Sequence, residues 1–86
     1  MQLILDGGIL RFDGEVLELF DERGASDRYH IRYLTKLEFV NGAKGITLLN
    51  LKHGKGGGFS GWIIPSENMD QAQEFMAAVE AAQAKL

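Results

Sequence analysis

The chain has 86 residues, with 45% hydrophobic and 24% charged side chains, and its formal net charge at pH 7 is −3. This length provides one domain with a modest core, and the composition is not that of a disordered chain. Because cysteine is absent, disulfides, thiol chemistry and cysteine–zinc sites are excluded.

Seven short strands are predicted before Pro65. The dipeptides Asp6-Gly7, Asp13-Gly14 and Asn41-Gly42 each separate two apolar runs, and such pairs accept the positive φ angles of two-residue turns. The segments between the turns are rich in β-branched, leucine and aromatic residues, which favour strands. The predicted strands are residues 2–5, 9–12, 15–20, 28–33, 36–40, 46–51 and 59–64.

The fourth predicted strand, 28–33, alternates in character. Its odd-numbered side chains are predicted to face one way: Tyr29, Ile31 and Tyr33. Its even-numbered side chains form a cationic row on the other face: Arg28, His30 and Arg32. If the preceding strand pairs with it, Glu18 falls opposite His30 and diagonal to both arginines. We expect this carboxylate to neutralise the row, and a ligand-contacting patch is the alternative.

After Pro65 the sequence predicts one helix, at about residues 67–85. Apolar residues recur there at three- and four-residue intervals: Ala72, Phe75, Met76, Val79, Ala82 and Leu86. Asn68 and Gln71 have the spacing of a capping box. An isolated helix of this length is only marginally stable, so its apolar stripe must pack on the strands. The chain is therefore predicted to be a single, mainly β (α+β) domain over residues 1–86.

Two segments are similar to a known family. Gly7-Gly8-Ile9-Leu10-Arg11-Phe12-Asp13-Gly14-Glu15-Val16 resembles the opening of small bacterial pleckstrin-homology-like (PH-like) domains of unassigned function. Tyr29-His30-Ile31-Arg32-Tyr33-Leu34-Thr35-Lys36-Leu37-Glu38-Phe39 resembles a later pair of their strands. The resemblance covers the whole chain. It implies a PH-like barrel of about seven antiparallel strands, capped by the C-terminal helix, that acts as a binding or scaffolding module.

The sequence departs from this family where phosphoinositides bind. Members that bind them carry basic residues around the first loop, whereas that loop is here Asp6-Gly7-Gly8. The tryptophan usual in the helix of eukaryotic members is also missing, because the single tryptophan, Trp62, lies in the predicted last strand. These differences disfavour a phosphoinositide pocket or membrane binding without excluding either.

The segment from Gly56 to Gly61 matches the pattern G-x-G-x-x-G of pyrophosphate-binding loops. That motif depends on a helix N-terminus directly after the glycines, and a strand is predicted here instead. We therefore expect a glycine-rich hairpin. Lys52, His53 and Lys55 beside it would form a cationic tip able to touch an anion.

No catalytic, metal or cofactor site is predicted. The two histidines, His30 and His53, lack metal-ligand spacing and a nearby set of carboxylates. Two carboxylate pairs occur in turns, where such groups are usually solvated: Asp13 with Glu15, and Asp21 with Glu22. No serine stands in a nucleophile-elbow context. We therefore expect a protein that is not an enzyme.

Trp62 is the aromatic residue of most interest. Strict alternation places Phe59 on one face of the last strand and Trp62 on the other. A large aromatic beside a glycine-rich loop is either a protein-contact anchor or a core plug, and the sequence leaves both open.

The functional hypothesis is a non-catalytic module that binds a protein partner or itself through an exposed sheet edge or the Trp62 region. The alternative is weak binding of an anionic ligand or a membrane surface through the basic segment 28–55. Nucleic acid is disfavoured because the chain is acidic overall. No apolar run is long enough to span a membrane, so a cytoplasmic location is expected. The predicted binding residues are Trp62, Phe59, Arg28, Arg32, Lys52 and Lys55.

Overall fold

A computed structural model, which describes residues 1–86, contains two antiparallel sheets and one long helix. The first sheet has the order β1-β2-β3-β4 and the second the order β5-β6-β7. The strands are β1 (Gln2–Leu5), β2 (Gly8–Phe12), β3 (Val16–Asp21), β4 (Ser26–His30), β5 (Leu34–Asn41), β6 (Thr47–His53) and β7 (Gly57–Ile64). Helix α1 (Met69–Gln83) follows them. The predicted mainly β fold with a C-terminal helix is confirmed; the sheets are separate, and no closed barrel is found.

The core lies between the inner faces of the two sheets and helix α1. Alternate residues of β1 and β2 are buried, as expected for strands with one face against a core. From the helix, Ala72, Phe75 and Val79 are buried, and the Phe75 ring meets the Phe12 ring edge-on at 6.2 Å. The apolar stripe of the helix therefore packs on the strands through these three residues, whereas Leu86, predicted as its last member, lies beyond the helix and is 62% exposed. The helix is not long and apolar enough to cross a membrane, and neither is any other.

The first turn of the helix differs from the prediction. A 3₁₀ turn, Ser66–Asn68, precedes α1, and the Asn68 side chain makes no cap hydrogen bond. The Nδ2 of Asn68 instead donates to the carbonyl oxygen of Ile4 at 3.2 Å. The backbone N–H of Ile4 donates to Oε1 of Gln71, also at 3.2 Å. The capping box is therefore wrong: both side chains bond the outer edge of β1, whose backbone would otherwise lack partners.

The fourth strand is shorter than predicted. It ends at His30, and Ile31–Tyr33 form a 3₁₀ turn in which the backbone N–H of Arg32 donates to Nδ1 of His30 at 3.1 Å. Nε2 of Gln83, the last residue of α1, donates to the carbonyl oxygen of Ile31 and holds the turn against the helix. The turn breaks the alternation, so Tyr33 is 58% exposed and does not share the buried face of Tyr29 and Ile31, contrary to the prediction.

Candidate functional site

Phe59 and Trp62 lie on the same face of β7, contrary to the prediction from alternation. Trp62 pairs with Leu49 and Phe59 pairs with Leu51, so β7 has one more residue than β6 in this interval. This is a β-bulge, in which Gly61 adopts a φ of +80° and donates its N–H to Oδ1 of Asn50 at 2.8 Å. Since Leu49 and Leu51 are buried, the bulge directs both aromatic rings towards the core.

Trp62 is half-buried and covers the start of β2. A Cβ atom on Gly8 would lie 2.8 Å from Cζ3 of Trp62, so the indole occupies the space that a side chain at position 8 would take. The backbone N–H of Asp6 donates to the carbonyl oxygen of Ile63 at 2.9 Å, which ties the β1–β2 turn to β7 beside the ring. Trp62 therefore packs where the two sheets meet.

The predicted cationic row is not continuous. Arg28 lies opposite Glu18 in the β3–β4 pair, with its Nε 3.9 Å from Oε2 of Glu18. His30 is paired with Val16, so the prediction that Glu18 lies opposite His30 is wrong by two residues. Arg32 has left the strand for the 3₁₀ turn. Cross-strand neutralisation therefore applies to Arg28 alone.

Lys52 and Lys55 lie apart from both arginines. They line a shallow polar groove with Thr35 and the glycines of the β6–β7 turn. Lys36 of β5 is the direct cross-strand partner of Lys52. Arg32 lines a different groove, of about 500 Å³, between the β2–β3 turn and the last two turns of α1. The predicted binding cations thus fall in three separate places.

One aspartate of each predicted carboxylate pair stabilises a turn. Oδ1 of Asp13 accepts the N–H groups of Glu15 and Val16, each at 2.8 Å, and these bonds lower the pKa of the carboxyl. Asp21 accepts hydrogen bonds from the Arg23 guanidinium and the Arg23 N–H, which hold its pKa at about 2. The carboxylates of Asp13 and Asp21 are therefore ionised at neutral pH and bond the backbone of their own loops.

An aromatic cluster joins β4 to the end of β6. The ring of His53 meets the rings of Tyr29 at 5.3 Å and Tyr33 at 6.1 Å, both edge-on. Tyr29 also meets Phe59 at 6.0 Å, and burial raises the pKa of the Tyr29 hydroxyl. Nε2 of His53 is buried without a hydrogen-bond partner. No group of three or more metal-ligating side chains is present.

The four sheet edges differ in how their backbone groups are satisfied. The edge of β1 is bonded by Asn68 and Gln71, and the edge of β7 is bonded at Ile63 and broken by the bulge. The edge of β4 spans only five residues. In contrast, β5 has eight residues, and no hydrogen bond from outside the β5–β6 pair reaches the backbone of residues 35–41. Its register with β6 shifts between Leu34 and Lys36, so the regular part of this edge runs from Lys36 to Asn41. A long unpaired edge is a template for another strand.

The β5 edge therefore joins the candidate site, and the sequence analysis did not include its residues. Lys36, Leu37 and Glu38 show the alternation of a strand, and this was visible in the sequence. That β5 lies at the border of a sheet depends on the fold, and no local pattern indicates it. No family model matches this chain, and no curated protein or solved structure is significantly similar to it.

Proposed function

We propose that this chain is a non-catalytic, cytoplasmic protein-binding module with the PH-like barrel architecture that its sequence resembles. Support for the architecture comes from the arrangement of four strands, then three strands, then one C-terminal helix. The hydrogen bond between Asp6 and Ile63 joins the sheets at one corner, as expected where a barrel of two sheets begins to close.

The observation that carries the proposal is the free edge of β5. Its unpaired N–H and C=O groups can accept an extended segment of a partner by strand addition, in which backbone hydrogen bonds supply affinity and side-chain contacts supply specificity. The two inward-facing side chains at this edge, Leu37 and Phe39, are half-buried and pack against the core. An added strand would cover the apolar surface that they still expose.

The predicted aromatic binding residues support this edge from behind. Leu37 pairs with Leu51, which pairs with Phe59 on the far strand. Phe39 pairs in the same way with Leu49, which pairs with Trp62. Phe59 and Trp62 thus end two apolar rows that begin at the β5 edge. We propose that they hold the edge in place while the contact itself is made by β5.

Binding of an anionic ligand or a membrane surface by the segment 28–55 has less support. Such a ligand is recognised by several cations that converge on one place. Arg28 is engaged with Glu18, and Arg32 lines a different groove from Lys52 and Lys55. The protein-binding proposal is therefore preferred.

Photo-crosslinking in the native cell tests the proposal. A photoreactive amino acid replaces Thr35, which is exposed on β5, and in the matched control it replaces Glu80, which is exposed on the helix. We expect the Thr35 position to attach to an extended segment of a protein chain, and the Glu80 position not to do so. Identical products from the two positions, or none from Thr35, would overturn the proposal.

A further inference from the structure

We propose that the strand which completes the β5 edge is β5 of a second copy of this chain, paired antiparallel about a two-fold axis through Leu37. This inference rests on the proposed function, because it names the occupant of the same edge. The pairing would join two three-stranded sheets into one sheet of six strands.

The charges of β5 are self-complementary about Leu37. Lys36 and Glu38 flank it and share the outer face of the sheet, since alternate residues of a strand point the same way. In the proposed pairing Lys36 lies opposite Glu38 of the second copy, and Glu38 lies opposite its Lys36. Within one chain Nζ of Lys36 is 3.1 Å from Oε2 of Glu38, with 53% and 35% of the two side chains exposed. Both groups are therefore accessible to a second chain.

The inner face of the same pairing is apolar. Leu37 would meet Leu37 of the second copy across the axis. Thr35, which would lie opposite Phe39, stands at the register shift between Leu34 and Lys36 and lines the groove of Lys52. Leu37 and Phe39 are half-buried in the single chain, and Thr35 is exposed. The pairing would withdraw the remaining apolar surface of both residues from water, which favours association.

Charge also selects this register over its neighbours. An axis through Lys36 would set lysine against lysine, and an axis through Glu38 would set glutamate against glutamate. Like charges directly opposite each other across a strand pair are destabilising. Of these three axes, the one through Leu37 forms two attractive pairs and avoids both repulsive ones.

The edge of β4 lacks this property. An axis through Arg28 would oppose two arginines, an axis through Asp27 would oppose two aspartates, and an axis through Tyr29 would set Arg28 against His30. The self-pairing argument therefore applies to β5 and not to the second free edge.

Charge reversal at the two positions tests the inference on the purified full chain. We expect wild type to be in reversible monomer–dimer equilibrium, measured by sedimentation equilibrium over a range of concentrations. Lys36→Glu and Glu38→Lys should each raise the dissociation constant of the homodimer about tenfold or more, because two attractive pairs become two repulsive ones. An equimolar mixture of the two variants should form a heterodimer, and the double variant should recover the wild-type affinity.

Circular dichroism and thermal melting serve as the control that each variant is folded. Lys36→Glu places a carboxylate opposite Lys52, so this change should not unfold the chain. A wild type that stays monomeric at every concentration would overturn the inference, as would a dimer indifferent to both reversals. If the chain is monomeric while Thr35 attaches to another protein in the cell, the self-pairing fails and the proposed function stands.

Discussion

The glycines before Phe59 provide a demanding test of the structure of the β6–β7 hairpin. Gly58 has a φ of +129°, a conformation that side chains rarely adopt. A Cβ atom at Gly58 would collide with the carbonyl oxygen of Leu51 and lie 2.9 Å from its carbonyl carbon. Gly56 lacks a positive φ, and a Cβ there would meet no atom within 4 Å. Gly58→Ala and Gly56→Ala are therefore matched variants two residues apart.

The two changes should differ by several kcal/mol in the free energy of unfolding. The strained backbone of Gly58→Ala costs about 1–3 kcal/mol, and the collision with β6 costs about 1–3 kcal/mol more. A domain of this size has a total stability of roughly 4–13 kcal/mol, so this variant should lose a large part of it. Gly56→Ala should be neutral or stabilise the chain by about 0.4–1 kcal/mol, because it restricts the unfolded state.

Urea unfolding followed by circular dichroism measures both values. The account predicts a much lower midpoint for Gly58→Ala and an unchanged or higher one for Gly56→Ala. Equal midpoints would refute the reasoning, because a flexible glycine loop of the phosphate-binding type would tolerate alanine equally at the two positions.

Three other predictions concern single side chains. Gln71→Ala should lower the unfolding free energy by about 0.5–1.5 kcal/mol, because the N–H of Ile4 loses its partner, and an unchanged urea midpoint would contradict this. Asp21 has a pKa of about 2, below its ordinary 3.8, so its contribution to stability is present above about pH 4 and is lost as the pH falls towards 2. In Arg23→Ala, an NMR titration should find the Asp21 pKa moved up towards 3.8, whereas the same pKa in both proteins would disprove the role of the guanidinium. His53→Phe should keep the unfolding free energy of wild type to within about 1 kcal/mol or raise it, because Nε2 of His53 has no hydrogen-bond partner to lose. A loss of about 2 kcal/mol or more would show that this nitrogen has a partner.

Much of the fold could be predicted because its determinants are local. The turn dipeptides Asp6-Gly7 and Asp13-Gly14 separate strands in the structure as they do in the sequence analysis. The two-residue turn predicted at Asn41-Gly42 is wrong: Asn41 ends β5, and the connection to β6 passes through a 3₁₀ turn, Ala43–Gly45, with positive φ angles at Lys44 and Gly45. The apolar stripe of the helix follows from a period of three to four residues, which is visible without knowing what it packs on. The seven strands and the C-terminal helix could therefore be predicted from the sequence.

The features that escaped prediction depend on contacts between distant segments. The bulge at Gly61 is fixed by a hydrogen bond to Asn50 on the neighbouring strand, and this bulge reverses the face assigned to Trp62. The end of β4 at His30 is stabilised by Gln83, far along the chain. Asn68 and Gln71 have the right types for a capping box and bond β1 instead.

The candidate site was harder to predict than the fold for the same reason. The basic residues of segment 28–55 are close in sequence, but they are distributed over two sheets, two 3₁₀ turns and the β6–β7 turn. The self-complementary charges of Lys36 and Glu38 are plain in the sequence. They indicate self-pairing only once β5 is known to be an unpaired edge, and the position of a strand in its sheet is a property of the folded chain.

The central claim is that the free edge of β5 pairs with β5 of a second copy, and amide hydrogen exchange followed residue by residue tests it most directly. The account predicts that the outward-facing amides within residues 35–41 become more protected as the concentration of wild-type chain rises. In Lys36→Glu their protection should stay low over the same range, and the amides of β4 should not respond in either protein. Exchange at residues 35–41 that is independent of concentration and identical in the two proteins would contradict the account.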